Sequence, residues 1–212
     1  MYAQQRVLKN HFTSYMNIYI FISVLFLIGI IFGAIIVNSM NFIQKQDLYF
    51  YLNQFFQQMM NTDIVSKPTL FWDSLAYHLK YMLLIFILGI SVIGMPIITV
   101  LLFIKGLVVG FSVGFLVNQM GWYGLLISSV SIAPQNLLII PIYLIAGALA
   151  MIFSITLFRQ LFSKRVHQPI MTIFLQYGIL FSILIACLVI AAFIEAFLSN
   201  QTLEWVVKWL YN

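Results

Sequence analysis

Residues 81–132 read YMLLIFILGISVIGMPIITVLLFIKGLVVGFSVGFLVNQMGWYGLLISSVSI, and Lys105 is the one charge in these 52 positions. As a single α-helix the stretch would be about 78 Å long at 1.5 Å per residue. A bilayer's hydrocarbon core is about 30 Å thick, so the chain must cross it twice here. Lys105-Gly106 lies near the midpoint, and a charge at mid-bilayer costs about 2.5–3.5 kcal/mol. The sequence therefore predicts the turn at Lys105-Gly106, with Gly89, Gly94 and Pro96 as a kink inside the second span. The third span is harder to read. Gly106–Val117 reaches only about 18 Å before Asn118-Gln119-Met120-Gly121 interrupts it. Either the helix continues through the interruption, or two half-helices dip in and return to one side.

Composition agrees with a membrane-embedded chain. Of the 212 residues 63% are hydrophobic and 7% charged, with mean hydropathy +1.05. A soluble domain carries about 25% charged residues. This balance excludes a cytosolic enzyme, a disordered tail and a nucleic-acid binder, since no basic cluster carries aromatics in a groove-lining pattern. The net charge of +5 is what orientation in a membrane leaves behind. Cys187 is the single cysteine, so no intrachain disulfide forms.

The first span is Ile18–Val37, in which 15 residues are Ile, Leu, Val or Phe. These contribute about −4.5 to −9 kcal/mol to insertion. The run is too long for a signal peptide and lacks a small-x-small cleavage site, so it reads as a retained span. Leu137–Phe158 is a fourth span, and Ile170–Leu198 contains a fifth. Basic residues set the direction. With a crossing third span and an internal N-terminus, Arg6, Lys9, Lys105, Arg159, Lys164 and Arg165 are cytoplasmic, and Lys45, Lys67, Lys80 and Lys208 are outside. That six-to-four division becomes four-to-six if the third segment re-enters. The expectation is an all-α, polytopic membrane helix bundle, one domain over 1–212. It has five transmembrane helices, a cytoplasmic N-terminus and an extracytoplasmic C-terminus.

Residues 38–80 form an extracytoplasmic helical insertion between the first two spans. Phe42, Leu48, Leu52, Phe55, Phe56 and Met59 recur at helical spacing, and Asn41 with Gln44 three residues on fits a capping box. This amphipathic helix either floats in outer headgroups or docks an extracytoplasmic partner. Its polar face is rich in amides, unlike that of a typical anionic-lipid binder. A second short helix starts near Pro68 and feeds the second span through Trp72, Tyr77 and His78. With Trp122, Trp205 and Trp209, Trp72 fits an interfacial aromatic belt.

Gly106, Gly110 and Gly114 repeat every fourth residue, which lets helix backbones approach closely within the chain or against a second subunit, as in a homo-oligomer. Catalytic chemistry needs positioned acids, bases or nucleophiles. His11, His78 and His167 lie on different segments near predicted membrane edges, and no HExxH, GxSxG or CxxC motif is present. The sequence therefore predicts no catalytic residue, no metal site, no cofactor and no nucleic-acid partner; the lipid bilayer is the surrounding it is built for. Glu195 is the one carboxylate in an apolar run. It sits at the outer interface or, with Asn118 and Gln119, in the path of an oligomeric transporter or channel.

Several stretches together resemble the stage II sporulation protein M family of endospore-forming bacteria. They are Val24-Leu25-Phe26 on to Val37-Asn38-Ser39, then His78-Leu79-Lys80-Tyr81 and Leu88-Gly89-Ile90-Ser91. The most specific part is Lys105-Gly106 through Gly121-Trp122, followed by Pro134-Gln135-Asn136-Leu137. The wider superfamily often carries Pro-His-Gly-x-x-Glu-x-Pro where this chain runs from Pro134 to Pro141 without the His, Gly or Glu. The resemblance implies a role in engulfment, when the mother-cell membrane migrates around the forespore. It also implies a non-enzymatic scaffold at the sporulation septum, anchoring the peptidoglycan-degrading stage II sporulation proteins D and P. Those partners would hold the enzymatic activity.

Overall fold

The chain reverses at Ser91–Ile93, not at Lys105-Gly106. A computed structural model describes residues 2–61, 67–162 and 169–194, and all the regular elements described are α-helices. They are α1 (Tyr2–Ser39), α2 (Phe42–Asn61), α3 (Lys67–Ile90), α4 (Gly94–Met120), α5 (Trp122–Ser131), α6 (Ala133–Phe162) and α7 (Ile170–Ile194). Five contain stretches long and apolar enough to cross a membrane: 15–39, 71–90, 94–120, 136–160 and 171–193. The protein is a polytopic helical membrane protein, as its composition predicts. The second and third spans, however, are displaced from their expected bounds.

Local chemistry explains the displaced turn. The Ser91 amide donates to the Leu88 carbonyl at 3.1 Å, and the Gly94 amide donates to the Ser91 carbonyl at 2.9 Å. The Ser154 hydroxyl of α6 donates to that same Ser91 carbonyl at 3.1 Å. A Cβ on Gly94 would overlap the Leu88 carbonyl oxygen, so the reversal needs glycine. Pro96 is the third residue of α4, where a helix has no use for the missing amide proton. Gly89, Gly94 and Pro96 therefore build the turn, not a kink within a span.

The interruption at Asn118–Gly121 marks the end of α4. Gly121 adopts φ +56°, and its amide closes the helix on the Val117 carbonyl at 2.9 Å. The third span is thus 94–120 rather than 106–132. The next ten residues form α5, about 15 Å long and too short to cross. α5 folds back on the end of α4, where a Cβ on Gly124 would overlap the Leu116 carbonyl oxygen. Neither expected version of 106–132, a crossing helix or a re-entrant pair, is present.

Tracing the crossings puts α2, α5 and the start of α6 at one end of the bundle. The α3–α4 turn and the start of α7 lie at the other. α6 is the axis. It touches α1, α3, α4, α5 and α7, and 56% of its most apolar window is buried, against 17–28% in the other spans. Ala146, Ala148 and Ala150 are fully buried on it, and a Cβ on Gly147 would come within 2.5 Å of Leu102 Cδ1. Small residues admit neighbours where lipid supplies no hydrophobic drive for helices to associate. Outward-facing positions are large and apolar instead, including Leu27, Ile31 and Ile35 on α1 and Ile179, Ile183 and Ile190 on α7.

α1 and α4 run parallel in glycine-mediated contact. A Cβ on Gly106 would overlap the Phe26 carbonyl oxygen, and one on Gly110 the Ile30 carbonyl oxygen. One on Gly114 would sit 3.1 Å from Ala34 Cα. Gly29 and Gly33 answer from α1, facing the backbone at Phe103 and Leu107. On the other side of α6, the Tyr177 ring stacks on Phe153 with centroids 4.1 Å apart and on Phe86 at 4.9 Å. Its hydroxyl donates to the Phe86 carbonyl at 3.0 Å, joining α3, α6 and α7.

Candidate functional site

The displaced turn carries Lys105 into the interior of a span. On α4 it lies next to Gly106, which packs on Phe26, and Phe26 is near the middle of the apolar run 18–37. Lys105 is therefore at mid-bilayer depth, where a lone ammonium is costly. Three tyrosines surround it. The ammonium lies 4.8 Å from the Tyr77 ring centroid, 5.1 Å from that of Tyr143 and 5.5 Å from that of Tyr81. Lys105 Nζ also donates to the Tyr77 hydroxyl at 3.4 Å. Each such ring face contributes about 0.5–2 kcal/mol when desolvated. Together the rings offset most of the insertion penalty. Among the described residues no carboxylate pairs with this ammonium.

Helical spacing assembles the group. Tyr77, His78 and Tyr81 sit at i, i+1 and i+4 of α3, so one turn faces both α4 and α6. His78 is 4% exposed, and its Nδ1 shares a hydrogen bond with the Tyr143 hydroxyl at 2.7 Å. The Tyr81 hydroxyl donates to the Leu101 carbonyl at 2.6 Å, fixing the ring that covers Lys105. Tyr81 and Tyr143 meet edge to face at 4.9 Å.

A cavity of about 350 Å³ lies against the group. Ser74, Tyr77, His78, Lys105, Ser112 and Asn136 supply its polar lining, which leads towards the α5 end. A groove of about 420 Å³ runs beside it between α4, α5 and α6, walled by Val113, Leu125, Ile140 and Pro141. Val109, Ile132 and Asn136 line both, so the polar cavity and the apolar groove are continuous. Among the described residues no three of His, Cys, Asp and Glu gather as metal ligands.

The second candidate surface is α2. Its start matches the capping box, because the Asn41 amide donates to Gln44 Oε1 at 3.0 Å. Among the described residues α2 has no extensive contact with another helix. Phe42 is 79% exposed, while Leu48 and Leu52 are half-buried. The side chains of Phe55, Phe56 and Met59 lie outside the described residues. The other strongly exposed apolar side chains are Ile43, Phe50 and Tyr51, which sequence analysis passed over because it followed the Leu48–Leu52 stripe. At 100° per residue Ile43 and Phe50 lie within about 20° of each other, with Tyr51 adjoining.

Other expected positions divide. Gly106, Gly110 and Gly114 face α1 of the same chain. Asn118 is exposed and Gln119 half-buried, and neither lines the Lys105 cavity. Trp72 and Trp122 are both exposed at the α2 end. Glu195, His167, Trp205 and Trp209 lie outside the described residues, as do the side chains of His11 and Gln135. His78 is buried in the bundle and not at a membrane edge. The Lys105–Tyr77–Tyr81–Tyr143 group is not legible in the sequence as a group. The one local signal is two tyrosines and a histidine within one turn of α3.

No curated protein matches the chain, and no solved structure does. The model of the family described as stage II sporulation protein M matches residues 22–200, most of the sequence. The chain is a sporulation-related, multi-pass membrane protein and belongs to the stage II sporulation protein M family.

Proposed function

We propose that the protein is a non-enzymatic membrane scaffold of the engulfment machinery. It anchors peptidoglycan-degrading partners, the stage II sporulation proteins D and P that the family resemblance implies, at the septum. The observation that carries this reading is α2, a helix with no extensive contact to the bundle among the described residues that exposes Phe42, Ile43, Phe50 and Tyr51. Exposed apolar side chains favour protein association. Asp47 and Gln54, also exposed, lie within about 40° of Ile43 at 100° per residue, so this face of α2 interleaves apolar contacts with hydrogen-bonding groups.

The charge pattern supports an α2 that faces the wall. Lys80, Lys105 and Arg159 fall within spans and leave the topology count. The remaining basic residues then divide four (Arg6, Lys9, Lys164, Arg165) to three (Lys45, Lys67, Lys208) in favour of a cytoplasmic N-terminus, the sense that the positive-inside rule favours. α2, α5 and the C-terminus are then extracytoplasmic. The test replaces Phe42, Phe50 and Tyr51 together with asparagine and measures co-purification of the two hydrolases from sporulating cells. Recovery is expected to fall at least about tenfold, the loss of roughly 1.4 kcal/mol or more of contact energy, at unchanged membrane level. Full recovery would remove α2 from the mechanism.

A second reading, an oligomeric transporter or channel, draws support from the Lys105 cavity alone. Solute flux into vesicles holding the purified protein, abolished by Lys105→Gln, would favour it. A sealed vesicle under an imposed gradient would count against it.

A further inference from the structure

We propose that the outward face of α3, together with the mouth of the Lys105 cavity, seats a membrane-spanning helix of another protein, one that carries a carboxylate at mid-span. The proposal goes beyond the scaffold reading and does not rest on it: α2 would hold a partner outside the membrane, whereas this face holds one within it. Asp73, Tyr77, Lys80, Leu84 and Ile87 are all exposed on α3. At 100° per residue they fall within about 40° of Asp73. Their alternation of four-residue and three-residue steps is the seam along which one helix packs on another. Lys80 lies between Tyr77 and Tyr81, whose rings flank the Lys105 ammonium. The two lysines therefore share one depth, near the middle of the bilayer. The four-carbon stem of Lys80 is shorter than the about 15 Å of hydrocarbon between mid-bilayer and headgroups, so snorkelling does not carry its charge to the surface.

Other outward faces suit acyl chains, with Leu27, Ile31 and Ile35 on α1 and Ile179, Ile183 and Ile190 on α7. The span in α3 is the least apolar of the five. An ionisable group within a span pairs with another group or faces protein, and a lipid phosphate stays at headgroup level, away from both lysines. Tyr77 and Val108 are 55% and 51% exposed, so the Lys105 cavity they line opens sideways between α3 and α4, beside the α3 stripe. A helix lying along the stripe covers that mouth and brings a mid-span carboxylate to the depth of both lysines. Hydrogen bonds between ammonium and carboxylate are among the strongest. Asp47 and Asp73 are the only carboxylates among the described residues. Asp73 stands two turns from Lys80, about 10 Å by helical rise, so neither lysine has a described acid at its own depth. A second copy offers none there either. Packed by this face about a twofold axis along the membrane normal, it would set Lys80 against Lys80, and like charges repel strongly at low dielectric.

The experiment reconstitutes the purified full-length protein in phosphatidylcholine vesicles with a biotinylated guest helix. The guest is about 22 residues of leucine and alanine, long enough to span, with aspartate, asparagine or alanine at its centre. The readout is the protein captured on streptavidin after mild solubilisation. The aspartate helix is expected to retain at least about tenfold more protein than the alanine helix. Lys80→Gln should weaken that preference, Lys80→Arg should keep it, and Lys80→Gln combined with Lys105→Gln should abolish it. Capture should survive replacement of Phe42, Phe50 and Tyr51 on α2, which separates failure of this proposal from failure of the scaffold reading. Equal capture by the aspartate and alanine helices, or undiminished preference in the double variant, would overturn the proposal. Equal capture by the asparagine helix would overturn the carboxylate in favour of a neutral polar partner. A cross-linked dimer of the chain alone, lost in Lys80→Gln, would overturn the choice of occupant in favour of a second copy. Should the double variant fail to fold, undiminished preference in Lys80→Gln, a change at an exposed position, would by itself overturn the site.

Discussion

The Lys105 ammonium sits 3.4 Å from the Tyr77 hydroxyl and 4.8 Å from the centroid of the same ring. One tyrosine thus gives it both an oxygen and a π-face, and Tyr81 and Tyr143 add two further ring faces, while its open side lines the cavity. The arrangement accommodates a cation without making it a source of stability, because ring faces replace only part of what water supplied. Lys105→Met keeps the chain length and removes both the penalty and its compensation. Its unfolding free energy in detergent should stay within about 1 kcal/mol of wild type. Lys105→Glu sets a negative charge against three electron-rich faces and should lose about 3 kcal/mol or more. Equal stabilities for the two variants would show that the rings do not sense the charge.

The contact between α1 and α4 predicts a graded series of glycine substitutions. A Cβ on Gly110 meets the Ile30 backbone, which cannot swing aside, whereas on Gly114 it stops 3.1 Å from Ala34 Cα. On Gly178 of α7 it meets nothing within 4 Å. Gly110→Ala should therefore cost about 1–3 kcal/mol, the usual range for forced overpacking. Gly114→Ala should cost less, and Gly178→Ala should be neutral or gain up to about 1 kcal/mol from helix propensity. Thermal melts of the three variants check the order, and a destabilised Gly178→Ala would reverse it.

Hydropathy and turn chemistry made five spans, the start of α2 and the close-packing role of the glycine stripe legible, because each depends on residues near one another in sequence. Asn41 and Gln44 are three apart, and the glycines recur within one helix. The location of the α3–α4 turn was not legible in the same way. The cost of a mid-bilayer charge is a rule for an isolated lysine, and Tyr77, which relieves it, is 28 residues away on another helix. The alternative was written in the sequence all the same. Gly94 and Pro96 are turn and helix-start residues, and they read as a kink only if the turn is assigned to Lys105. Which stripe of α2 stays exposed is not legible from periodicity either, because it depends on the bundle: Phe42 is exposed, whereas Leu48 and Leu52 are half-buried.

Tyr177 separates packing from hydrogen bonding at the α3–α6–α7 junction. Its ring lies between Phe153 and Phe86, and its hydroxyl donates to the Phe86 carbonyl. Tyr177→Phe keeps both stacked faces and should cost about 0.5–1.5 kcal/mol, the worth of one hydrogen bond. Tyr177→Ala removes the ring from a buried site and should cost about 3–5 kcal/mol. Unfolding of both variants in one detergent measures the difference. A Phe variant as damaged as the Ala variant would put the hydrogen bond, not the stacking, at the centre of the junction.

The position of the α3–α4 turn, and the side of the membrane it faces, can be read from thiol chemistry. Cys187 is exposed on α7, so Cys187→Ser provides the background. Maleimides react with the thiolate, which forms only where water reaches the sulfur. Ser91→Cys stands in the turn and is exposed, while Ile104→Cys stands on an outward apolar face of α4 beside Lys105. With the turn at Ser91–Ile93, a membrane-impermeant maleimide should label Ser91→Cys from the cytoplasmic side and leave Ile104→Cys unmodified. Tyr123→Cys, on exposed α5, should react from the opposite face. Rapid labelling at Ile104→Cys with a protected Ser91→Cys would return the turn to Lys105-Gly106, and with it would go the mid-bilayer placement of the Lys105 ammonium.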